Sequence, residues 1–201
     1  DDEDPTIVCP ADQNVTTDPG VCGAIVTYED PMVDDNCGIV FTAGGSASYT
    51  VSVEPLAAVA VPSNPGPSSD DGLSSPITLP FDFPFYGNTY TQLWISTNGY
   101  VSFSGDTQGC CSGQNIPNGS IPNDYIALWW EDLDPNGSTT AITYGTVGTD
   151  FVVSYNNIDH FPSGTNVSGQ IIMASNGTIT LVSQNLITDG GLHTQGIENA
   201  A

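Results

Sequence analysis

The feature that most constrains the fold is a period-two alternation of apolar and polar residues between positions 80 and 103. Phe81, Phe83 and Phe85 alternate with polar or turn residues, and the pattern resumes on both sides of Asn98-Gly99. Such alternation is typical of half-buried strands, and Asn-Gly between two runs is the strongest short-range signal for a hairpin. We therefore expect these residues to supply the largest apolar part of a β-sandwich core.

Short runs elsewhere predict further strands. They lie at 6–8, 24–28, 49–53, 125–130, 141–144, 151–155, 170–174 and 178–182. The run 125–130 is continuously apolar, which favours a central strand buried on both faces. Gly (22) and Pro (15) mark the turns, and no stretch keeps helical periodicity for three turns. We predict an all-β antiparallel sandwich, jelly-roll or immunoglobulin-like, with one domain at 47–201 that carries a long loop at 62–76, and a partial β domain at 1–46.

The charge balance limits the partners of this chain. It contains 23 Asp and Glu but no Lys or Arg, a formal net charge of -23. Side-chain salt bridges can form only through His160 or His193, so most carboxylates must be solvated, held by backbone donors or bridged by cations. Binding to nucleic acid or anionic lipid is excluded because nothing can neutralise phosphates. No run of 18 apolar residues predicts a membrane span.

The cysteines indicate an oxidising compartment. The disulfide candidates are Cys9, Cys22, Cys37, Cys110 and Cys111. Five is an odd number, so at least one thiol is free or bonds to another molecule. A bond between adjacent cysteines strains the peptide, so we expect one of the adjacent pair to bond within the sandwich and the other to reach one of the first three.

Other surface signals also suggest secretion. Five sequons are candidate glycan acceptors in a eukaryotic secretory host: Asn14, Asn118, Asn136, Asn166 and Asn176. The chain begins with Asp1 rather than Met, which predicts a mature end left by a signal peptidase. We expect an extracellular or cell-surface protein.

The first 40 residues carry a cysteine-containing pattern. It consists of Pro5-x-Ile7-x-Cys9-Pro10, Asp18-x-Gly20-x-Cys22, Val26-x-Tyr28 with Pro31, and Asp35-Asn36-Cys37-Gly38. This pattern resembles the first half of a hyalin repeat (HYR), an immunoglobulin-like module of extracellular proteins. The Gly-Thr strand pair and the fourth cysteine of a complete repeat are missing. The resemblance therefore implies a half-immunoglobulin segment that must find its missing strands elsewhere.

A second pattern covers the rest of the chain. It includes Asp70-Asp71, Leu79–Gly87, Ile95–Phe103, Cys110–Gly113, Ile126–Leu133, Phe151–Val153, Asn156–Ile158 and His193–Asn199. It resembles a secreted β-sandwich module of bacterial surface proteins. The resemblance implies an extracellular accessory domain with no known reaction of its own. It also implies that both histidines are structural hydrogen-bonding residues.

One segment resembles the start of a calcium loop. Asp132, Asp134 and Asn136, followed by Gly137, reproduce the Asp-x-Asp-x-Asn-Gly spacing of Ca²⁺ ligands. Thr143 stands where the bidentate Glu is expected, so a Gly-ended turn after a strand is the competing interpretation. Two further acidic segments, at 34–36 and 70–71, are weaker candidates. No cofactor is required, and calcium is the one that the residues could hold.

The sequence favours no enzyme. It has no Gly-x-Ser-x-Gly elbow, and a Ser/His/Asp site built on either histidine could be composed in any serine-rich β-protein. Glu131 with Asp132 and Asp134 could mimic the carboxylate pair of a glycosidase. At the end of a strand, however, such residues more often cap the chain or bind a cation.

Two functions remain. The first is a structural subunit of an extracellular filament or matrix. The half-repeat at one end and the stop at Ala201 each leave a sheet edge without a strand, and exchange of strands between copies would give a head-to-tail polymer. The alternative is an adhesin or carbohydrate-binding module, calcium-dependent, whose Trp94, Tyr100, Trp129 and Trp130 stack on glycans. The competing interpretation of those aromatic residues is that they fill the core.

Overall fold

The computed structural model describes residues 6–8, 32–34, 37–44, 48–55, 58–105, 111–162, 164–187 and 190–199. The chain divides into two compact units, Asp1–Asp35 and Asn36–Ala201. All regular elements of the described residues are β-strands. A helix long and apolar enough to cross a membrane is absent from this part of the chain.

The described residues of the smaller unit form an antiparallel pair of short strands. β1 (Thr6–Val8) pairs with β2 (Met32–Asp34), and Ile7 lies opposite Val33. The strand predicted at 24–28 lies outside the described residues.

The larger unit contains two antiparallel sheets. The larger sheet contains β3 (Cys37–Gly44), β4 (Ser48–Pro55), β5 (Asn64–Pro65), β10 (Leu133–Asp134), β11 (Ile142–Val147), β12 (Asp150–His160), β13 (Asn166–Met173) and β14 (Ile179–Leu186). Its strand order is β4-β3-β14-β13-β12-β11-β5, and β10 also pairs with β12. The smaller sheet contains β6 (Ile77–Phe85), β7 (Asn88–Ile95), β8 (Tyr100–Ser102), β9 (Tyr125–Trp130) and β15 (Thr194–Glu198), in the order β15-β9-β8-β7-β6.

The apolar core lies between the two sheets. The predicted phenylalanines of β6 are at its centre: Phe83 and Phe85 are fully buried and pack on Phe103, at ring-centroid distances of 5.5 and 4.9 Å. Ile142, Val153 and other residues of the larger sheet complete this cluster. The predicted all-β antiparallel sandwich is confirmed.

Two Asn-Gly turns join neighbouring strands, and the first of them is the predicted one. Asn98-Gly99 connects β7 to β8, and Asn176-Gly177 connects β13 to β14. In each turn the glycine has a positive φ, +80° and +88°. Gly is favoured there because it has no Cβ to clash with the backbone.

β9 is buried on both faces, as its continuous apolar run predicts. Ile126 and Leu128 lie in the core between the sheets. Tyr125 and Trp130 pack on the other face, with Tyr100 and Ala127, in a second cluster that contacts Ile116.

The strand β3 belongs to the sandwich. The predicted domain boundary at 46 places its residues in the N-terminal domain, whereas β3 pairs with β14 on one side and with β4 on the other. The compact units accordingly divide after Asp35. Most of the loop predicted at 62–76 is irregular, apart from β5 and a single bridge between Leu73 and Ser96.

Candidate functional site

An apolar groove runs along one flank of the sandwich. It encloses about 570 Å³ and lies on the side where β4 ends the larger sheet and β15 ends the smaller one. Its lining residues are Ile39, Phe41, Tyr49, Val51, Tyr86, Ile116, Gln195, Gly196 and Ile197. A groove with this lining, open to solvent, can bury apolar side chains from outside.

The register of β3 and β4 explains which side chains reach the groove. The two strands pair over eight residues without a shift, with Phe41 opposite Val51 and Ile39 opposite Val53. Side chains two residues apart share a face of a sheet. Val51 therefore faces the groove together with Tyr49, and Val53 lies on the same face. Val51 is 61% exposed and Val53 68% exposed, so this end of the face is uncovered.

Tyr49 attaches β4 to the smaller sheet. Its ring packs edge-on against Tyr86 at a centroid distance of 5.0 Å and lies 6.0 Å from the ring of Phe85. Its hydroxyl donates to the carbonyl oxygen of Pro84 over 3.4 Å. Burial and the neighbouring Tyr86 raise the pKa of Tyr49 to about 12. The inner part of the groove is therefore packed against the smaller sheet, whereas its outer part ends at the exposed valines.

Three loops with acidic or polar side chains meet at one end of the sandwich. The buried side chain of Asn98 donates to Asp71 Oδ1 over 2.9 Å and accepts from the Leu133 N–H over 2.8 Å. Desolvation and the nearby carboxylates of Asp134 and Asp71 raise the pKa of Asp70. The loops near positions 70, 98 and 133 are thus brought together, although they are distant in sequence.

The structure places the three predicted calcium ligands in two different groups. Asp134 and Asn136 lie together: Asp134 Oδ1 accepts from the Asn136 N–H over 2.7 Å, and Asn136 Nδ2 donates to Asp159 Oδ2 over 3.1 Å. Ligand atoms of Asp132, Asp71 and Cys111 lie within 4.8 Å of one another. Because Cys111 is disulfide-bonded, its sulfur is no thiolate, and this second group offers two carboxylates.

Sequence reasoning missed a buried contact between the carboxyl group of Glu131 and the imidazole of His160. The side chains are 3% and 1% exposed, and His160 Nδ1 lies 3.1 Å from Glu131 Oε2. His160 Nε2 lies 2.7 Å from the carbonyl oxygen of Ile187, so it donates the proton there. The pair joins the end of β9, the end of β12 and the segment after β14. The sequence signals this contact only through position. Glu131 directly follows the apolar strand β9, and His160 ends the apolar strand β12.

The second histidine is also engaged in packing. His193 stacks on the ring of Trp129 with centroids 4.0 Å apart and an interplanar angle of 16°. Of the other predicted glycan-stacking residues, Tyr100 and Trp130 are buried with centroids 5.0 Å apart, and Trp94 is half-buried. The structure thus places two of the four in an interior cluster.

The predicted modification sites differ in accessibility. Asn136 and Asn176 are exposed at turns, and Asn176 Oδ1 accepts from the Thr178 N–H over 3.0 Å. Asn118 and Asn166 are half-buried, and Asn166 Oδ1 accepts from Asn185 Nδ2 over 2.8 Å. Asn14 lies outside the described residues, as do the side chains of the cysteines other than Cys111, so the disulfide pairing stays a prediction.

Comparison with known proteins identifies one family. The family model described as NIDO related matches residues 34–201. This range contains both sheets of the sandwich. The residues before position 34 lie outside the match. Searches of curated proteins and of solved structures found no match.

Proposed function

This chain belongs to the NIDO-related family, and from that premise we propose that it is a non-enzymatic structural subunit of an extracellular filament or matrix. Its copies assemble by exchanging strands. NIDO-related domains are typically extracellular, which agrees with the cysteine usage and the acidic composition. The proposal also includes the two finer resemblances. In it, the N-terminal segment is HYR-like and the rest of the chain is a secreted module of the bacterial surface type.

The observation that carries the proposal is the apolar groove between β4 and β15. Core aromatics form its floor, yet Val51 at its rim remains 61% exposed. A strand from a neighbouring copy would insert alternate side chains into this groove and cover the rim. Burial of a Val-, Leu- or Ile-sized side chain stabilises by about 1.5–3 kcal/mol, so a few inserted residues suffice to hold copies together.

Charge supports assembly through this flank. Two copies that each carry a net charge of -23 repel one another, and no Lys or Arg is present to form bridges between them. The described groove lining contains no charged residue. Apolar contacts at an uncharged site therefore offer a route to association that the rest of the surface opposes.

Electron microscopy of the unreduced protein at high concentration tests the proposal. We expect regular filaments from the wild-type chain. Ile39→Glu places a charge in the groove and should abolish them. Val40→Glu is the matched control, because it adds the same charge on the opposite face of β3 and should leave the filaments intact.

Two results would contradict this function. Dispersed wild-type particles under all conditions would argue against assembly, and a glycan array would then test the alternative of a carbohydrate-binding module. Equal loss of filaments in both variants would show that added charge, and not occupation of the groove, controls assembly.

A further inference from the structure

Asn-Gly steps occur at four places in this chain, and their asparagines are residues 98, 118, 136 and 176. An asparagine followed by glycine is prone to deamidation, because no side chain shields the amide nitrogen of the glycine. In this reaction the glycine nitrogen attacks the side-chain carbonyl carbon of the asparagine. The rate in a folded protein therefore depends on whether the glycine N–H is free and whether the asparagine side chain is held.

Three of the four steps are protected by hydrogen bonds. Gly137 donates its N–H to the carbonyl oxygen of Ser68 over 2.9 Å. Gly177 donates its N–H to the carbonyl oxygen of Ala174, also over 2.9 Å. An N–H that donates to a carbonyl oxygen resists losing its proton, because the anion would face that oxygen. Asn98 is 1% exposed, and both ends of its side-chain amide are bonded.

The step Asn118-Gly119 has no such protection. Gly119 is exposed, and its N–H has no hydrogen-bond partner among the described residues. Asn118 Oδ1 accepts from the Ser120 N–H over 3.0 Å. This bond stabilises the negative charge that develops on Oδ1 when a nucleophile attacks the side-chain carbonyl. Asn176 receives a similar bond, so the free glycine nitrogen is what distinguishes Asn118.

Asn118 also attaches a loop to the smaller sheet. It lies between β8 and β9, in the described segment 111–124, where Ile116 packs on the buried cluster beside β9. The Asn118 N–H donates to Glu198 Oε1 over 2.6 Å, and the Tyr125 hydroxyl donates to Glu198 Oε2 over 2.9 Å. Glu198 belongs to β15 and is 5% exposed. The residue with the unprotected step therefore holds a buried carboxylate.

We propose that Asn118 is the first deamidation site of the folded chain, and that its conversion loosens this loop from β15. The Gly119 nitrogen gives its proton to solvent and bonds to Asn118 Cγ. The Cγ–Nδ2 bond breaks, and Nδ2 leaves as ammonia. The resulting succinimide consumes one water, which opens the ring at either carbonyl. Breaking the new bond to Cγ gives aspartate, whereas breaking the original peptide bond gives isoaspartate.

Both products weaken the contact with Glu198. Each adds a carboxylate to the residue whose N–H holds this buried carboxylate, and like charges repel strongly where little water screens them. The chain has no Lys or Arg to neutralise the added charge. Isoaspartate also lengthens the main chain by one carbon between Asn118 and Gly119. This inference does not depend on filament assembly.

Peptide mapping of the full chain tests the site. The protein is produced without N-glycans, because Asn118 is also a candidate acceptor and a glycan would occupy Nδ2. It is incubated folded at mildly alkaline pH and digested with pepsin in acid, and mass spectrometry follows the gain of about one dalton at each step. We expect Asn118 to react at least about fivefold faster than the other three asparagines, since their steps are held by hydrogen bonds.

The reduced chain in urea is the control, because unfolding removes the protection and should bring the four rates close together. Gly119→Ala shields the nitrogen with a methyl group, and its Cβ meets nothing within 4 Å. This variant should slow the reaction at Asn118 several-fold and leave the other steps unchanged. Equal rates at all four steps of the folded chain, or a faster reaction at another step, would overturn the assignment.

Asn118→Asp reproduces one product and tests its effect on the loop. Asn115→Asp is the matched control, because it adds the same charge at an exposed residue of the same loop. Hydrogen exchange of the amides at 113–118 should be faster in Asn118→Asp than in Asn115→Asp, while circular dichroism shows that both keep the fold. Equal exchange in the two variants would overturn the loosening of the loop.

Discussion

Asn98 is a single side chain that connects three loops. It is 1% exposed and links Asp71 to the backbone of Leu133 through two hydrogen bonds. Its amide has both a donor and an acceptor, which is why an asparagine can hold a carboxylate and an N–H at once.

Asn98→Ala should destabilise the sandwich by about 1–3 kcal/mol, because the Leu133 N–H is left buried without its acceptor. Urea unfolding measures this change. Asn115→Ala, at an exposed amide in another loop, should change the free energy of unfolding by less than about 0.5 kcal/mol. Equal stabilities of the two variants would show that water replaces the lost bonds.

Tyr49 should make the stability depend on alkaline pH. Burial raises its pKa from 10.0 to about 12, so at intermediate pH the unfolded chain has lost this proton while the folded chain keeps it. The folded state then binds more protons, and stability falls as the pH rises from about 10 to about 12.

Tyr49→Phe removes this contribution. Urea midpoints measured at about pH 9 and about pH 11 should differ less in the variant than in the wild type. Identical pH dependence in both proteins would mean that Tyr49 ionises alike in the folded and unfolded chains.

At the scale of elements, the hairpin of β7 and β8 is fitted closely against β9. Leu128 and Trp129 both donate their N–H groups to the carbonyl oxygen of Gly99, over 3.0 and 3.2 Å. A Cβ at Gly99 would collide with the carbonyl oxygen of Trp129. The turn therefore needs glycine for its close approach to β9 as well as for its positive φ.

Gly99→Ala and Gly137→Ala separate these two reasons. Both glycines have positive φ, but a Cβ at Gly137 meets nothing within 4 Å. Gly137→Ala should cost about 1 kcal/mol for backbone strain. Gly99→Ala should cost more than about 3 kcal/mol, because β9 must also move. Thermal unfolding measures both, and equal losses would show that the contact with β9 relaxes freely.

At the scale of the whole molecule, electrostatic repulsion should dominate the response to salt. The net charge is -23 and oppositely charged partners are almost absent from the sequence. The Debye length shrinks from about 30 Å at 0.01 M to about 3 Å at 1 M ionic strength. We therefore expect the melting temperature to rise steadily with NaCl; a fall would show that attractive pairs dominate.

Calcium binding at Asp134 and Asn136, which the sequence spacing predicts, would have an additional effect. At equal ionic strength, CaCl₂ should raise the melting temperature more than NaCl, and Asp134→Asn should remove the difference. Asp82→Asn, at an exposed carboxylate of β6, is the control for charge alone. If the two salts stabilise equally, or chelation leaves the melting temperature unchanged, the acidic loops hold no specific ion.

The sequence by itself determined most strands of the sandwich and their core faces, but it predicted neither β3 nor β15. The alternation at Phe81, Phe83 and Phe85 and the Asn98-Gly99 turn are local signals, since side-chain direction along a strand has a period of two and a hairpin turn depends on its own residues. The all-β class follows from them.

Only the tertiary structure decided which sheet each strand joins and which polar groups meet. β3 pairs with β14, more than a hundred residues away, and Glu131 meets His160 across two strand ends. The calcium spacing is local, yet Asp132 lies beside Asp71, whereas Asp134 contacts Asn136 and pairs with Asp159 of β12. Contacts between distant segments depend on how the sheets pack, and no local pattern encodes that packing.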